Sequence, residues 1–426
     1  MSGGAVTTDV LIVGGGPAGA LLGYLLARRG LDVLVAEKQL TLEREFRGET
    51  IAAPSVVTLR KLGFGPALDQ HGFLRTEGVT MRMEGRRVMH VDYRRFPIGT
   101  VPIDIPQPAL IGIFTAAGQA YPGFDYQFGI TFTKLVQQDG AVRGAWLRRR
   151  DGSTFEVRAR IVVGADGRFS KVRHAAGLTA DVQEMARDFL SFRLPRPPEW
   201  GLQAELVIDR DRHLVVLPTF PDSLRIGNNL PKRGLGALRK AGFDAFRADV
   251  MALDPRLAPV VREHLRSWDD TSFLEIFTAE VPQWSRDGLI LIGDASHTCT
   301  PILGQGVNVA IQDAVCLAPV LAASLRADRH PVVTAAELTD FVTERRRHKA
   351  FVTRFQRIQE SALATGSASG VLLRRARYRL LDALPVKYRL FDKVLNAPHS
   401  IDPVDLADDA RTGPGVTTAE RSTTTD

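Results

Sequence analysis

Three observations predict an α/β fold, with a Rossmann-type nucleotide-binding domain interleaved with a β-sheet domain and followed by C-terminal helices. The chain opens with a βαβ unit around a glycine-rich turn. Two later buried strands run into acidic glycine turns ahead of helices, and blocks of alternating pattern interrupt this scheme. Asp9 to Val13 is a short apolar run bounded by glycines, as a buried strand is. Leu21 to Arg29 has helical spacing and stops at Gly30; Asp32 to Ala36 is a second buried strand, closed by Glu37. Val56 to Leu62 predicts a helix ended by Gly63, and Gly78 to Tyr93 a hairpin turning at Gly85. Ala109 to Ala120 is helical in pattern. Ala141 to Arg148 and Thr154 to Val157 read as strands around Asp151-Gly152, and Ile161 to Val163 as another buried strand. Phe189 to Ile226 mixes short strands with prolines and turns. Leu289 to Ile292 predicts a buried strand, Val307 to Leu325 a long apolar helix, and Phe341 to Val394 basic helices. Beyond Ala397 the prolines, acids and Ser/Thr-rich end predict a disordered tail.

Composition narrows the function classes. The chain has 426 residues, 44% hydrophobic and 24% charged, an ordinary globular balance. Two cysteines, Cys299 and Cys316, exclude a disulfide framework and a zinc site built from four cysteines, and fit reduced thiols in a cytoplasmic protein. The most apolar window, Leu11 to Ala27, is short and full of glycine, so no transmembrane segment is expected. Met1 to Asp9 lacks the basic n-region of a signal peptide. The net charge of +7 and pI near 9.6 raise the question of nucleic acid or an anionic membrane. Residues 341–393 alone carry a net +9, whereas residues 401–426 carry −4. The basic character therefore belongs to the C-terminal helices. Arg345, Arg346, Arg347 and the Arg374-Arg375-Ala376-Arg377 run are expected on a solvated helix face. No nucleic-acid motif accompanies them.

Three motifs carry chemistry. Gly14-Gly15-Gly16-Pro17-Ala18-Gly19 sits between a strand and a helix, as the dinucleotide fingerprint requires. Gly14 permits the tight turn, Gly16 lets backbone approach a pyrophosphate, and Gly19 allows close helix-on-strand packing. Glu37, 18 residues after Gly19, can accept hydrogen bonds from ribose hydroxyls and would repel a 2′-phosphate, so the nucleotide is NAD or FAD. Gly63-Phe64-Gly65 follows a helix, and Gly234-Leu235-Gly236 lacks a preceding buried strand, so one fingerprint is expected. The second motif is Val163-Gly164-Ala165-Asp166-Gly167-Arg168 with Ser170 and Arg173; alone it also reads as a turn with a local cap. The third is Leu291-Ile292-Gly293-Asp294-Ala295-Ser296-His297, then Pro301 and Gly304-Gln305-Gly306-Val307-Asn308. Asp294 can accept from a sugar-alcohol hydroxyl, and the helix starting near Val307 points positive charge at whatever lies before it. His297 has no metal-ligating neighbours at helix spacing and is expected to be structural; no metal is predicted.

Together these motifs, over residues 8 to 325, resemble the FAD-dependent aromatic hydroxylases of the p-hydroxybenzoate hydroxylase type, the single-component flavin monooxygenases. The resemblance implies a discontinuous FAD-binding domain over 1–75, 99–180 and 281–325. It implies a substrate domain over 76–98 and 181–280, a helical region over 326–398 and a tail over 399–426. Gly14, Gly16, Ala18 and Gly19 would hold the FAD pyrophosphate, with Glu37 and Lys38 at the adenosine ribose. Arg47 would reach the pyrophosphate side and Gln107 the ribityl chain, although Leu110-Ile111-Gly112 lacks the charge expected after it. Asp166 and Gly167 would lie at the FAD/NAD(P)H side and Asp294 at the ribityl hydroxyls. Pro301 would sit beside the reactive edge of the flavin. Gly304, Gly306, Val307 and Asn308 would stand at its N1–C2=O edge, where oriented donors stabilise negative charge.

The implied reaction uses NADPH or NADH as transient reductant and O2. A flavin C4a-hydroperoxide then oxygenates an aromatic or polyketide-like molecule, in bacterial secondary metabolism, by hydroxylation, Baeyer-Villiger insertion or epoxidation. No side-chain catalyst is assigned. Tyr93, Phe192, His213 and Phe220 are candidate substrate contacts in a mostly apolar pocket. A monomer or homodimer is expected. The alternatives are a C=C reductase of the geranylgeranyl reductase type and a redox-inactive FAD-binding protein. A flavin-dependent halogenase is disfavoured because Trp146, Trp200, Trp268 and Trp284 stand far apart.

Overall fold

A computed structural model describes residues 5–43 and 49–395. Arg47 and the expected tail lie outside the described residues. The described helices are α1 (Pro17–Ala27), α2 (Ala53–Lys61), α3 (Gly65–His71), α4 (Gln107–Gly118), α5 (Lys171–Ala175) and α6 (Leu235–Ala241). They continue with α7 (Phe243–Leu253), α8 (Ala258–His264), α9 (Gln305–Ala327), α10 (Thr339–Leu363), α11 (Ala368–Ala383) and α12 (Val386–Leu395).

The opening strand, Val6–Val13, lies at the middle of an eight-stranded sheet. It pairs in parallel with Val33–Glu37 on one side and with Thr154–Gly164 on the other. Phe124–Phe128 and Leu289–Leu291 extend the parallel part at either side. Because the chain leaves the opening strand in one direction and returns on the other, a crevice opens at the carboxyl ends of Val6–Val13 and Thr154–Gly164, where α/β folds bind ligands. The two strands expected within 154–163 are one continuous strand, Thr154–Gly164, which hands over from its antiparallel partner, ending at Arg158, to the parallel ladder with the opening strand. Apolar side chains of α1, α4 and α9 cover one face of the sheet, and Trp284, Val172 and Leu178 belong to the core on the other.

Residues 78–92 and 187–274 build a second, seven-stranded sheet. Gln203–Asp209 pairs in parallel with Gly78–Met83, which joins the two separated stretches of chain. Strand alternation divides this sheet sharply. Leu190, Phe192, Leu214, Val216, Leu224 and Ile226 point to a core shared with α7 and α8. Phe189, Ser191, Arg193, His213, Val215, Arg225 and Gly227 alternate with them and occupy the opposite face. Ser223–Pro231 is a strand ahead of Gly234, contrary to expectation. It runs antiparallel inside this second sheet, and Gly234 has φ near −75°, so no dinucleotide turn forms there.

The C-terminal region is only partly a solvated cap: Arg347 and Arg377 are exposed as expected, but other residues turn inward. α11 and α12 contribute Tyr378 and Phe391 to a core with Met81, Val91 and Ile208 of the second sheet. Arg345 is 3% exposed and Arg374 4%, and Arg374 donates to the carbonyls of Ala362 and Arg210. Charge spacing alone cannot separate a guanidinium facing water from one facing a buried carbonyl. By length and composition α9 could cross a membrane, yet Val309, Ile311, Ala314, Leu317 and Leu321 are buried in the first core.

Candidate active site

The nucleotide end is shaped by glycines that leave no room for a side chain. Gly14 has φ +105°, and a Cβ there would lie 2.4 Å from the Ala165 carbonyl oxygen. A Cβ on Gly15 would lie 2.1 Å from the Tyr126 hydroxyl, which donates to the Gly15 carbonyl at 2.8 Å. At Gly19 it would lie 2.0 Å from the Gly14 carbonyl oxygen, so α1 packs directly on the turn. Gly16 caps α1 without a side-chain hydrogen bond, with Pro17 and Ala18 in the first turn. Its leading N–H groups are thereby left for an anion. Glu37 is 3% exposed; its Oε2 accepts the Gly15 N–H at 2.8 Å and its Oε1 the Gln39 N–H at 2.9 Å. Its carboxylate thus holds the loop in shape, and Lys38 stands exposed next to it.

The second motif adjoins this loop through its backbone. The Asp166 carboxylate caps α5 instead, accepting from the Ser170 hydroxyl and from the N–H groups of Lys171 at 2.7 Å and Val172 at 3.2 Å. Ser170 Oγ in turn accepts the Arg173 N–H at 2.9 Å. Burial raises the Asp166 carboxyl above its usual range against these hydrogen bonds. Gly167 supplies the φ of +86°. The side chain of Asp166 is therefore a structural cap.

The third motif lies between two helix starts. A Cβ on Gly293 would sit 3.6 Å from the Ala18 Cβ and 3.8 Å from the Ala310 Cβ, so the loop carrying Asp294 is wedged between α1 and α9. α9 begins at Gly304, in the left-handed region at φ +60°, with no side-chain cap. Around Gly306 a Cβ would meet no protein atom within 4 Å. A helix N-terminus without a side-chain cap beside open space is what an anionic ring edge would fill, so these residues fit FAD. Val307 is buried in the core, and the side chain of Asn308 is fully engaged. Asn308 Oδ1 accepts the Ala52 N–H at 2.8 Å, and Nδ2 donates to the carbonyls of Thr50 at 3.1 Å and Gly304 at 2.9 Å. Gln107 is the first residue of α4 and is buried. Ile105, two residues before it, donates its N–H to the Glu49 carbonyl, which brings it to the segment after Arg47.

Sequence reasoning missed what braces this loop from behind. One stripe of α10, at residues 345, 349, 353, 356 and 360, is polar and buried. Arg345 Nε donates to Asp313 Oδ1 at 2.8 Å, and Lys349 Nζ to Asp313 Oδ2 at 2.7 Å and Ser296 Oγ at 3.0 Å. Asp313, on α9, also accepts the Gly293 N–H at 2.8 Å. The two cations outweigh burial and hold its carboxyl below the usual range. Thr353 meets His297 Nε2 at 2.8 Å, and Gln356 Nε2 donates to the carbonyls of Thr300 at 3.0 Å and Ile302 at 2.8 Å. Burial lowers His297 to about 3, so its ring is neutral. The available signal was the i, i+4 spacing of polar residues, which reads equally as a solvated face.

Glu49 joins this site to the second sheet. It is 4% exposed, paired with Arg193 and, at 3.6 Å, with Arg225, and precedes Thr50, whose Cβ lies 3.6 Å from a Cβ placed on Gly304. Nearby Asp104 accepts the Phe220 N–H at 3.1 Å; burial and Glu49 raise its carboxyl to about 6 despite Arg225. Pro301 and Ile302 share a narrow crevice with Phe189 and His213 of the sheet. Of the expected substrate contacts, only His213 lies there. Phe192 points to the opposite face, its ring 5.8 Å from that of Phe246 in α7, because its strand position has the wrong parity. Tyr93 stacks on Phe96 in the core under α12. Phe220 packs beside His71 and Gly72 at the far end of its strand.

Comparison with known proteins accords with this geometry. The FAD binding domain family model matches residues 7–204 and 252–356, more than half of the chain. A 6-methylpretetramide 4-monooxygenase of Streptomyces rimosus is 35% identical over 373 residues, 87% of this chain and 88% of the relative. PqsL of Pseudomonas aeruginosa, solved with 2-aminobenzoylacetate, shares the fold at TM-score 0.75 and 22% identity, over 87% of this chain and 99% of the other. The p-nitrophenol 4-monooxygenase PnpA of Pseudomonas putida DLL-E4 does so at TM-score 0.76 and 18% identity, over 92% and 99%. The glycine turn, the braced acidic loop and the uncapped start of α9 thus mark a chain that belongs to the FAD binding domain family, as an FAD-dependent monooxygenase.

Proposed function

We propose that the chain hydroxylates a planar aromatic of polyketide type, with NADH or NADPH as electron donor and O2 as oxidant. The carrying observation is that Pro301 and Ile302, just before the uncapped start of α9, share one crevice with the inner face of the seven-stranded sheet. The Streptomyces rimosus relative, named for a 6-methylpretetramide substrate, supports that substrate class. Residues 76–98 and 181–280 are taken as the substrate side, and the remaining segments up to 325 as the cofactor side. FAD, when bound, supplies the two-electron redox chemistry and the activation of O2. The chain supplies the rest. Gly14, Gly16 and α1 would hold the pyrophosphate, and Glu37, besides holding the loop, and Asp294 would accept from the sugar hydroxyls. The N–H groups at Gly306, Val307 and Asn308 would stabilise negative charge on the flavin when it is bound. Arg193 and Arg225, held by Glu49, set the charge of the wall facing the flavin. The apolar walls exclude water from the reacting carbon. Such a reaction belongs in the cytoplasm, where reduced nicotinamide is supplied.

The test is NAD(P)H consumption by the FAD-loaded protein with a panel of phenolic arenes. Stimulated consumption with a product heavier by one oxygen atom supports hydroxylation. A product gaining two hydrogens would point to a C=C reductase, and no reduction of bound flavin to a binding protein.

A further inference from the structure

Among the described residues, two polar atoms at the crevice have no hydrogen-bond partner. His213 is 4% exposed, and its Nδ1 has no hydrogen-bond partner among the described residues. Glu360, the last polar residue of the α10 stripe, accepts the Ala186 N–H through Oε1 at 3.2 Å, while its Oε2 is buried with no partner among the described residues. Both residues line the crevice that Pro301 and Ile302 border. Buried polar atoms are almost always satisfied, so two orphans in one crevice point to a missing hydrogen-bonding partner. The surroundings do not supply it. His213 is pinned by its backbone N–H to Asn229 Oδ1 at 2.6 Å, and its ring lies edge-on to Phe189 at 5.7 Å. Arg187, the cation lining the crevice, is taken up by Asp211 at 2.5 Å. The remaining wall, Phe189, Ile276 and Leu363, is apolar, and at about 20 Å³ the crevice has room for the edge of a ring and not for the whole of it. Burial, with the charges of Arg187 and Arg374, lowers His213 to about 3. The imidazole is therefore neutral, and in the tautomer that carries its proton on Nε2 the Nδ1 lone pair is free to accept.

Resting on the hydroxylase reading above, we propose that His213 Nδ1 and Glu360 Oε2 are paired acceptors for two hydroxyl groups on one edge of the substrate. The crevice then selects polyhydroxylated arenes, holding the edge remote from the carbon that is oxidised. The sheet supplies one acceptor and the C-terminal helix the other, so α10 both braces the cofactor loop and reads the substrate. Both residues are positioning groups; neither exchanges a proton with the reacting carbon.

The experiment titrates the FAD-loaded full chain with 1,3-dihydroxynaphthalene and with 1,3-dimethoxynaphthalene, following the flavin absorbance. The dihydroxy arene should bind about 10-fold more tightly or better, the discrimination expected of two hydrogen bonds in a dry site. His213→Leu and, separately, Glu360→Gln should each cut that preference to about 3-fold or less. FAD content and affinity for the dimethoxy arene should stay as in the parent protein. The proposal is overturned if the parent shows no preference, if neither arene binds saturably, or if Glu360→Gln keeps the full preference. It is overturned equally if both variants weaken both arenes alike. Reduction by NADH and NADPH is measured on the same samples. Flavin that neither nucleotide reduces sinks the hydroxylase reading, whereas normal reduction with unselective binding sinks the crevice assignment alone.

Discussion

A methyl group on Gly14 would strike the Ala165 carbonyl, whereas one on Gly306 would enter open space. The two substitutions therefore separate folding from cofactor binding. Gly14→Ala should destabilise the protein by about 2 kcal/mol or more, because its φ of +105° and the 2.4 Å contact both oppose a side chain. Gly306→Ala should leave the apoprotein as stable as before, or more stable by up to ~1 kcal/mol, since alanine suits a helix. Its FAD affinity should nevertheless fall about 10-fold or more, because the methyl group occupies the cradle. Thermal melts with and without FAD read both effects. An apoprotein loss in Gly306→Ala without an FAD effect would contradict the cradle. The glycine pattern was legible in the sequence because strand, turn and helix each leave a mark. The side-chain duties of Asp166 and Asn308 were not, because a carboxylate or amide bonding backbone nearby has the same sequence as one bonding a ligand.

At the scale of elements, α10 is the largest difference between expectation and structure. Its basic composition suggests a solvated helix, yet Arg345, Lys349, Thr353 and Gln356 turn inward, three of them onto the loop at 293–302 and Arg345 onto Asp313 behind it. Only tertiary contact decides which polar face is buried, so pattern alone could not find it. The stripe makes a prediction about binding. Gln356→Ala frees the carbonyls of Thr300 and Ile302, each bonded through one amide group. Leaving buried carbonyls unpaired costs about 1–3 kcal/mol. FAD affinity should fall about 10-fold while far-UV circular dichroism stays unchanged. Lys349→Met tests the deeper layer: it strips Asp313 of one of two cations and should destabilise the fold by about 3–5 kcal/mol. Unchanged melting of Lys349→Met would show that the buried cluster braces nothing.

For the whole molecule, buried histidines should set the acid limit of stability. Burial lowers His213 and His297 to about 3 and His348 to about 4. Each binds a proton more readily when unfolded, so the stability it provides is present above about pH 6.5 and is lost as pH falls toward those values. Asp104, raised to about 6, works in the opposite sense: its contribution is present below about pH 4 and lost as pH rises through 6. Between pH 6 and 4 the net slope should be about two protons, or ~3 kcal/mol per pH unit. His297→Gln, which stays neutral and can keep the bond to Thr353, should shift acid unfolding to lower pH. Asp104→Asn, neutral at every pH, should raise the melting temperature at pH 7 and change it little at pH 4; the reverse pattern would contradict the assignment. The interleaving of two sheets was legible, since segments of different period alternate along the chain. The crevice between them was not, because it is closed by residues from 187, 213, 301 and 360. The central claim, that this assembly passes one atom of O2 to an aromatic ring, is tested most directly with 18O2. The FAD-loaded protein is reduced anaerobically with NADH or NADPH, a polyhydroxylated arene is added, and labelled oxygen is admitted for one turnover. One 18O atom is expected in the product. Rapid flavin reoxidation with an unlabelled arene, across substrates that bind saturably, would contradict it.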